Sequence, residues 1–192
     1  MKVQERLINY VTVRTPSNEE SETVPSSMCQ FDLARKLEKE MQELGLTEVV
    51  LDDKCYLYGK LPATKGKENI PALGFIAHMD TVSDFCDHEI HPIITENYDG
   101  GELVLGTSGL TLNPKEFPHL AELKGRTLIT SDGTTILGAD DKAGIAEILT
   151  MIERIQAEKL PHGTICVSFT PDEEIGMGAE HFNLEQFGAE YA

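Results

Sequence analysis

A layered α/β fold is what the order of segments in this sequence predicts. Two observations carry that reading. Apolar stripes at helical spacing alternate with short apolar runs of strand length. In addition, three sharp polar clusters each stand just beyond such a run, where open α/β sheets place their ligands.

Taken in order, residues 2–13 carry Val3, Leu7, Tyr10 and Val11 at helical spacing. A polar loop, "RTPSNEESETVPSS", follows. "QFDLARKLEKEMQELG" then sets Phe31, Ala34, Leu37, Met41 and Leu44 on one stripe, with Gly45 as its stop. "EVVLDD" and "CYLYGKL" read as two strands around a turn at "DDK", and "ALGFIAH" reads as a buried strand. From Ser83 to about Lys124 periodicity weakens, and "NYDGGELVLG" is the clearest hairpin signal there. A stretch this long without periodicity carries function or leaves the core. "RTLITSDG" and "TTILGADD" return to strand character. "AGIAEILTMIERIQAE" is the clearest helix, with Ile145, Ile148, Leu149, Ile152 and Ile155 on one face. "GTICVSFT" is a further buried strand, and "PDEEIGMGAEHF" opens as a helix.

Composition narrows the function classes. The 192 residues carry a net charge of −17, from 33 acidic and 16 basic side chains. Nucleic acid and anionic membrane surfaces both reward clustered Lys and Arg, so neither is an expected partner. No apolar run reaches the ~20 residues that span a bilayer. Cys29, Cys55, Cys86 and Cys166 are scattered without a C-x-x-C pair, which suits a reducing cytoplasm better than a disulfide scaffold or a structural zinc site.

Each polar cluster has two readings. In "HMD", His78 and Asp80 are two apart and would share a strand face. The pair is either a strand end turning into solvent, or a zinc ligand whose second ring nitrogen Asp80 orients. In "GADDKAG", Asp140 or Asp141 caps the following helix, or one of them bridges two metal ions. In "FTPDEEIG", Thr170, Pro171 and Glu173 fit a capping box, with Glu174 in the first turn. The alternative makes one glutamate a general base and its neighbour a metal ligand. The coincidence of all three points to a hydrolytic metal site. "HEIHP" at residues 88–92 is no zincin motif, since its histidines are three apart rather than four.

As a set, "AHMDTVSD", "NYDGG", "LITSDGTTILGADDKAGIAEI" and "FTPDEEIGMGAEHF" resemble the peptidase T family. These are tripeptide aminopeptidases within a wider group of two-zinc exopeptidases and deacylases. The 62 residues from His78 to Asp140, carrying "NYDGG", point to that family within the group. The resemblance implies a zinc-exopeptidase-like catalytic domain with a mixed, mostly parallel sheet and helices on both faces. It implies that His78 ligates one zinc and Glu174 the other, that Asp140 bridges them, and that Asp80 orients His78. Glu173 would be the general base, and the Asp140–Asp141 peptide would be cis.

The implied substrate is a short peptide with a free amino terminus, cleaved after its first residue. The implied cofactor is two zinc ions per complete site, with partial or no occupancy expected on these residues alone. Residues 1–192 would be the N-terminal part of the catalytic domain. A further carboxylate, a further histidine and the lid and dimerisation domain would follow residue 192, and the full-length protein would be a cytoplasmic homodimer. A dipeptidase or N-acyl amino acid deacylase of the same group, or a catalytically dead binding scaffold, are the competing readings.

Overall fold

A computed structural model describes all of residues 1–192. The chain forms two compact units, Met1–Ser83 with Gly138–Ala192, and Asp84–Leu137.

In the first unit the N-terminal stripes become α1 (Val3–Val11) and α2 (Gln30–Glu43). α2 stops where Gly45 takes a φ of 76°, and the Leu46 N–H closes back on the Met41 carbonyl at 3.0 Å. β1 (Thr47–Leu51) and β2 (Leu57–Leu61) form the expected antiparallel hairpin. The carboxylate of Asp52 shapes its turn by accepting the N–H groups of Lys54 and Tyr56 at 3.0 and 2.8 Å.

β3 (Leu73–His78), α3 (Ala139–Ala157), β8 (Ile165–Thr170) and the one-turn α4 (Leu184–Phe187) complete the unit, the strands numbered between β3 and β8 belonging to the second unit. The four strands lie in the order β1-β2-β8-β3. β3 and β8 are parallel, whereas β1–β2 and β2–β8 are antiparallel. The sheet is therefore mixed, as expected, but it is not mostly parallel over these residues. The five residues between β1 and β2 allow only a hairpin, since a parallel pair needs a crossover of a dozen or more.

Strand parity divides the sheet into two faces. On one, Leu57 and Leu61 of β2, Ala77 of β3 and Ile165, Val167 and Phe169 of β8 join the core with α1, α2 and α3. On the other, Tyr58, Cys166 and Phe187 form a smaller cluster with Phe182, so helices do cover both faces. A Cβ at Gly74 would overlap the Phe187 ring, which is how α4 comes so close to β3. His78, Ile76 and Gly74 stand on this second face, opposite Thr170, Ser168 and Cys166. β3 is less buried than its apolar sequence implies, because it is the edge strand, and Leu73 and Ile76 are exposed.

The second unit is where periodicity weakens. β4 (Pro92–Thr95) pairs antiparallel with β7 (Leu128–Ser131), and β5 (Leu103–Val104) with β6 (Thr111–Leu112). Its small core gathers Tyr98, Leu103 and Leu120. The hairpin signal in "NYDGGELVLG" is realised only by its second half, through β5. "TTIL" is not a strand: the Ser131 hydroxyl donates to the Thr135 carbonyl at 2.7 Å, and the Asp132 carboxylate accepts the Thr134 N–H at 2.9 Å. Such local side-chain bonds compete with a ladder and curl the chain.

Candidate active site

The parallel pair β3–β8 brings its two C-terminal ends side by side, with His78 in register with Thr170. The chain turns sharply after each strand, and a third approach comes from the start of α3. The "HMD", "ADD" and "DEE" clusters therefore meet at one end of the sheet.

Asp80 occupies the centre. It is fully buried, and its two carboxylate oxygens accept the N–H groups of Glu173 and Glu174 at 3.0 and 3.1 Å. The ring Nδ1 of His78 lies 3.0 Å from the Asp80 carbonyl oxygen and 3.4 Å from its carboxylate. Both are acceptors, so Nδ1 carries a hydrogen. That leaves Nε2 turned outward, 3.1 Å from the Asp140 carboxylate and 3.7 Å from that of Glu173.

Burial alone would lower the His78 pKa, but the hydrogen bonds and charge of Asp80, followed by Asp140, outweigh it and raise it to about 9. Binding of a cation at Nε2 would therefore compete with a proton at that nitrogen.

The two aspartates of "ADD" divide the two roles that sequence left open. Asp140 and Asp141 are non-helical, with ψ of 114° and 35°, so the regular part of α3 begins after them. Asp141 accepts the Gly144 N–H at 3.1 Å and caps that helix. Its pKa is raised, first by burial and against the effect of that hydrogen bond. Asp140 makes no cap, is 88% exposed and faces the imidazole. The peptide between them is cis.

The capping box expected at "TPDE" does not form. Asp172 takes the cap position in a left-handed conformation, and only a single 3-10 turn, Glu173–Ile175, follows. The Glu173 N–H is taken by Asp80, so no helix can propagate through a box centred on Thr170. The Glu173 side chain is 58% exposed. Glu174 is half-buried and its pKa is raised: burial leads, His78 opposes it, and Asp80, Asp140 and Glu173 add to it. Together Ile76, Ala77, His78, Asp140, Asp141, Thr170 and Glu173 line an open hollow of about 360 Å³.

The donor set is one imidazole with its free nitrogen outward and several carboxylates around it, a chemistry suited to zinc and similar divalent ions. These residues fit such an ion as part of a site. No three His, Cys, Asp or Glu side chains converge tightly enough to form a metal-binding group by themselves.

Two features, Asp172 and Lys142, escaped the sequence reading, and a third, His181, was expected in a helix. Asp172 is 1% exposed and bonded to Ser26 and Gln30. Lys142, fully buried, donates to the Val13 carbonyl at 2.7 Å. His181 stands in a turn rather than a helix, its Nδ1 3.2 Å from the Lys54 amine. The run of three acids in "PDEE" was the available signal for Asp172, since only two of them had been given roles.

The chain is similar to known proteins along its whole length. A model of peptidase family M20/M25/M40 matches residues 131–190, which include the "ADD" and "DEE" clusters. Peptidase T of Desulfitobacterium hafniense (strain Y51) is 53% identical over 192 residues, covering 99% of this chain and 46% of that protein. The aminopeptidase PepT crystal structure from Bacillus cereus superposes with a TM-score of 0.66 at 31% identity, over 98% of this chain and 42% of that one. A tripeptidase structure from Staphylococcus aureus gives 0.62 at 30% identity, over 99% and 42%. The chain thus spans about half the length of the curated relatives it matches. No helix is long and apolar enough to cross a membrane.

Proposed function

We propose, from the premise that this chain is homologous to peptidase T over its whole length, that the full-length protein is a cytoplasmic metal-dependent aminopeptidase. It removes the first residue from tripeptides. The observation that carries this reading is the meeting of His78, Asp140, Glu173 and the Asp80-bound Glu174 turn at the ends of β3 and β8.

In this reading His78, through Nε2, Glu174 and Asp140 would hold two zinc ions, with the Asp140 carboxylate shared between them. When bound, the zinc ions lower the pKa of an attacking water and polarise the scissile carbonyl. The chain's own residues do the rest. Asp80 keeps the hydrogen on Nδ1 of His78, so that Nε2 is the free nitrogen. Through the two N–H groups it accepts, Asp80 also fixes the turn from which both glutamates project. Glu173, exposed and beside the imidazole, takes the proton from water and returns it to the leaving amine. The remaining ligands and the walls that select the substrate come from residues outside these 192, including a dimerisation domain.

The test compares the full-length protein, with zinc, on a tripeptide, a dipeptide and an N-acetylated amino acid. Turnover of the tripeptide alone, abolished by chelation and restored by zinc, is the expected result. Preference for the dipeptide or the acetylated amino acid would move the protein to another activity of the same group, and zinc binding without turnover would make it a dead scaffold. The isolated 192-residue chain is expected to show no zinc-dependent turnover above background, and robust turnover by it would refute the proposed division of the site.

A further inference from the structure

We propose that Asp172, anchored by Ser26 and Gln30, is a positioning residue for Glu173; this rests on Glu173 being the general base. Asp172 is buried, and its backbone stands at φ 56° and ψ 28°. The left-handed region is strained for a non-glycine residue. Glycine would adopt it freely, so the aspartate is there for its side chain.

That side chain is fully engaged. One oxygen accepts the Ser26 N–H at 2.7 Å, and the other accepts the Ser26 hydroxyl at 2.5 Å and the Gln30 carboxamide N–H at 2.6 Å. The Ser26 hydroxyl oxygen in turn accepts the Asn18 N–H at 2.9 Å. The Asp172 carbonyl accepts the Met177 N–H at 2.9 Å, closing the loop that carries both glutamates.

The Glu173–Ile175 turn is therefore held from two sides. Asp80 grips its N–H groups from the end of β3, and Asp172 ties its entry to the segment leading into α2. The segment tied to Asp172 also carries Glu19 and Ser21, which with Glu174, Ile175, Gly176 and Met177 line a hollow of about 570 Å³.

The test uses the full-length protein with saturating zinc and a tripeptide, comparing Asp172→Asn, Ser26→Ala, their double variant and Glu173→Gln as reference. A side-chain amide can accept at one atom only, so Asp172→Asn must lose part of the anchor. A misplacement of order 1 Å at a reacting group costs up to about 100-fold, so kcat is expected to fall about 50-fold in Asp172→Asn and about 10-fold in Ser26→Ala. KM stays within about twofold, because substrate binding is not what the anchor supplies. The double variant falls no further than Asp172→Asn, since both act through one contact.

Melting temperatures are read alongside. Unchanged kcat with a lowered melting temperature, or a raised KM at constant kcat, would overturn the proposal. Should Asp172→Asn fail to fold, Ser26→Ala decides by the same criteria. Wild-type kcat in Glu173→Gln would sink the assignment of the base itself. An inactive Glu173→Gln beside unaffected Asp172→Asn and Ser26→Ala would sink only the positioning role.

Discussion

Replacing Glu173 by glutamine in the full-length protein is expected to lower kcat for tripeptide hydrolysis by about 1,000-fold, the middle of the range for loss of a general base. The substitution keeps the side chain's size and removes its basicity. The Glu173 side chain is 58% exposed and its backbone N–H still reaches Asp80, so the fold has little reason to change. Surface substitutions of this kind stay within about 0.5 kcal/mol. Bound zinc, measured by elemental analysis, is expected to match the wild type, because Glu173 is assigned no metal. A kcat within about threefold of wild type would remove Glu173 from the chemistry. Loss of zinc in step with kcat would reassign it as a ligand.

Asp80→Ala is expected to damage both activity and stability. Its carboxylate accepts two N–H groups and lies beside the imidazole, all within a fully buried position. Truncation leaves the Glu173 and Glu174 N–H groups without their partner, at about 1–3 kcal/mol for each one left unsatisfied. It also frees the His78 ring from the carboxylate that helps to orient it, and losses of this type cost about 10- to 100-fold in metal affinity or activity. Denaturant melts and zinc titrations on the full-length variant measure the two effects. Near-wild-type values in both would mean that the buried carboxylate neither braces the turn nor orients the ring.

Much of this site was legible in the sequence because its parts lie at strand ends. β3 and β8 announce themselves as apolar runs, and the residues that break those runs, His78 with Asp80 and Glu173 with Glu174, are the ones the sheet brings together. Which of Asp140 and Asp141 does which task was not legible. Either can cap a helix, and only the backbone angles show that Asp141 does. Asp172 was missed because its partners lie 146 and 142 residues earlier, in a polar loop and a helix start with no periodic signal. The helix expected after "FTPDEE" failed for a related reason. Local capping chemistry predicted it, and a long-range bond from Asp80 overrode it. The balance of strand directions was misjudged because the family's whole sheet was expected, whereas the hairpin β1–β2 dominates these residues.

The proposed function stands on His78, Asp140 and Glu174 as metal ligands. Zinc anomalous diffraction from crystals of the full-length protein tests it most directly. Two peaks are expected, one about 2.0–2.2 Å from Nε2 of His78, the other at the same range from a Glu174 oxygen, with Asp140 touching both. Peaks whose coordination spheres contain none of these three side chains would contradict it.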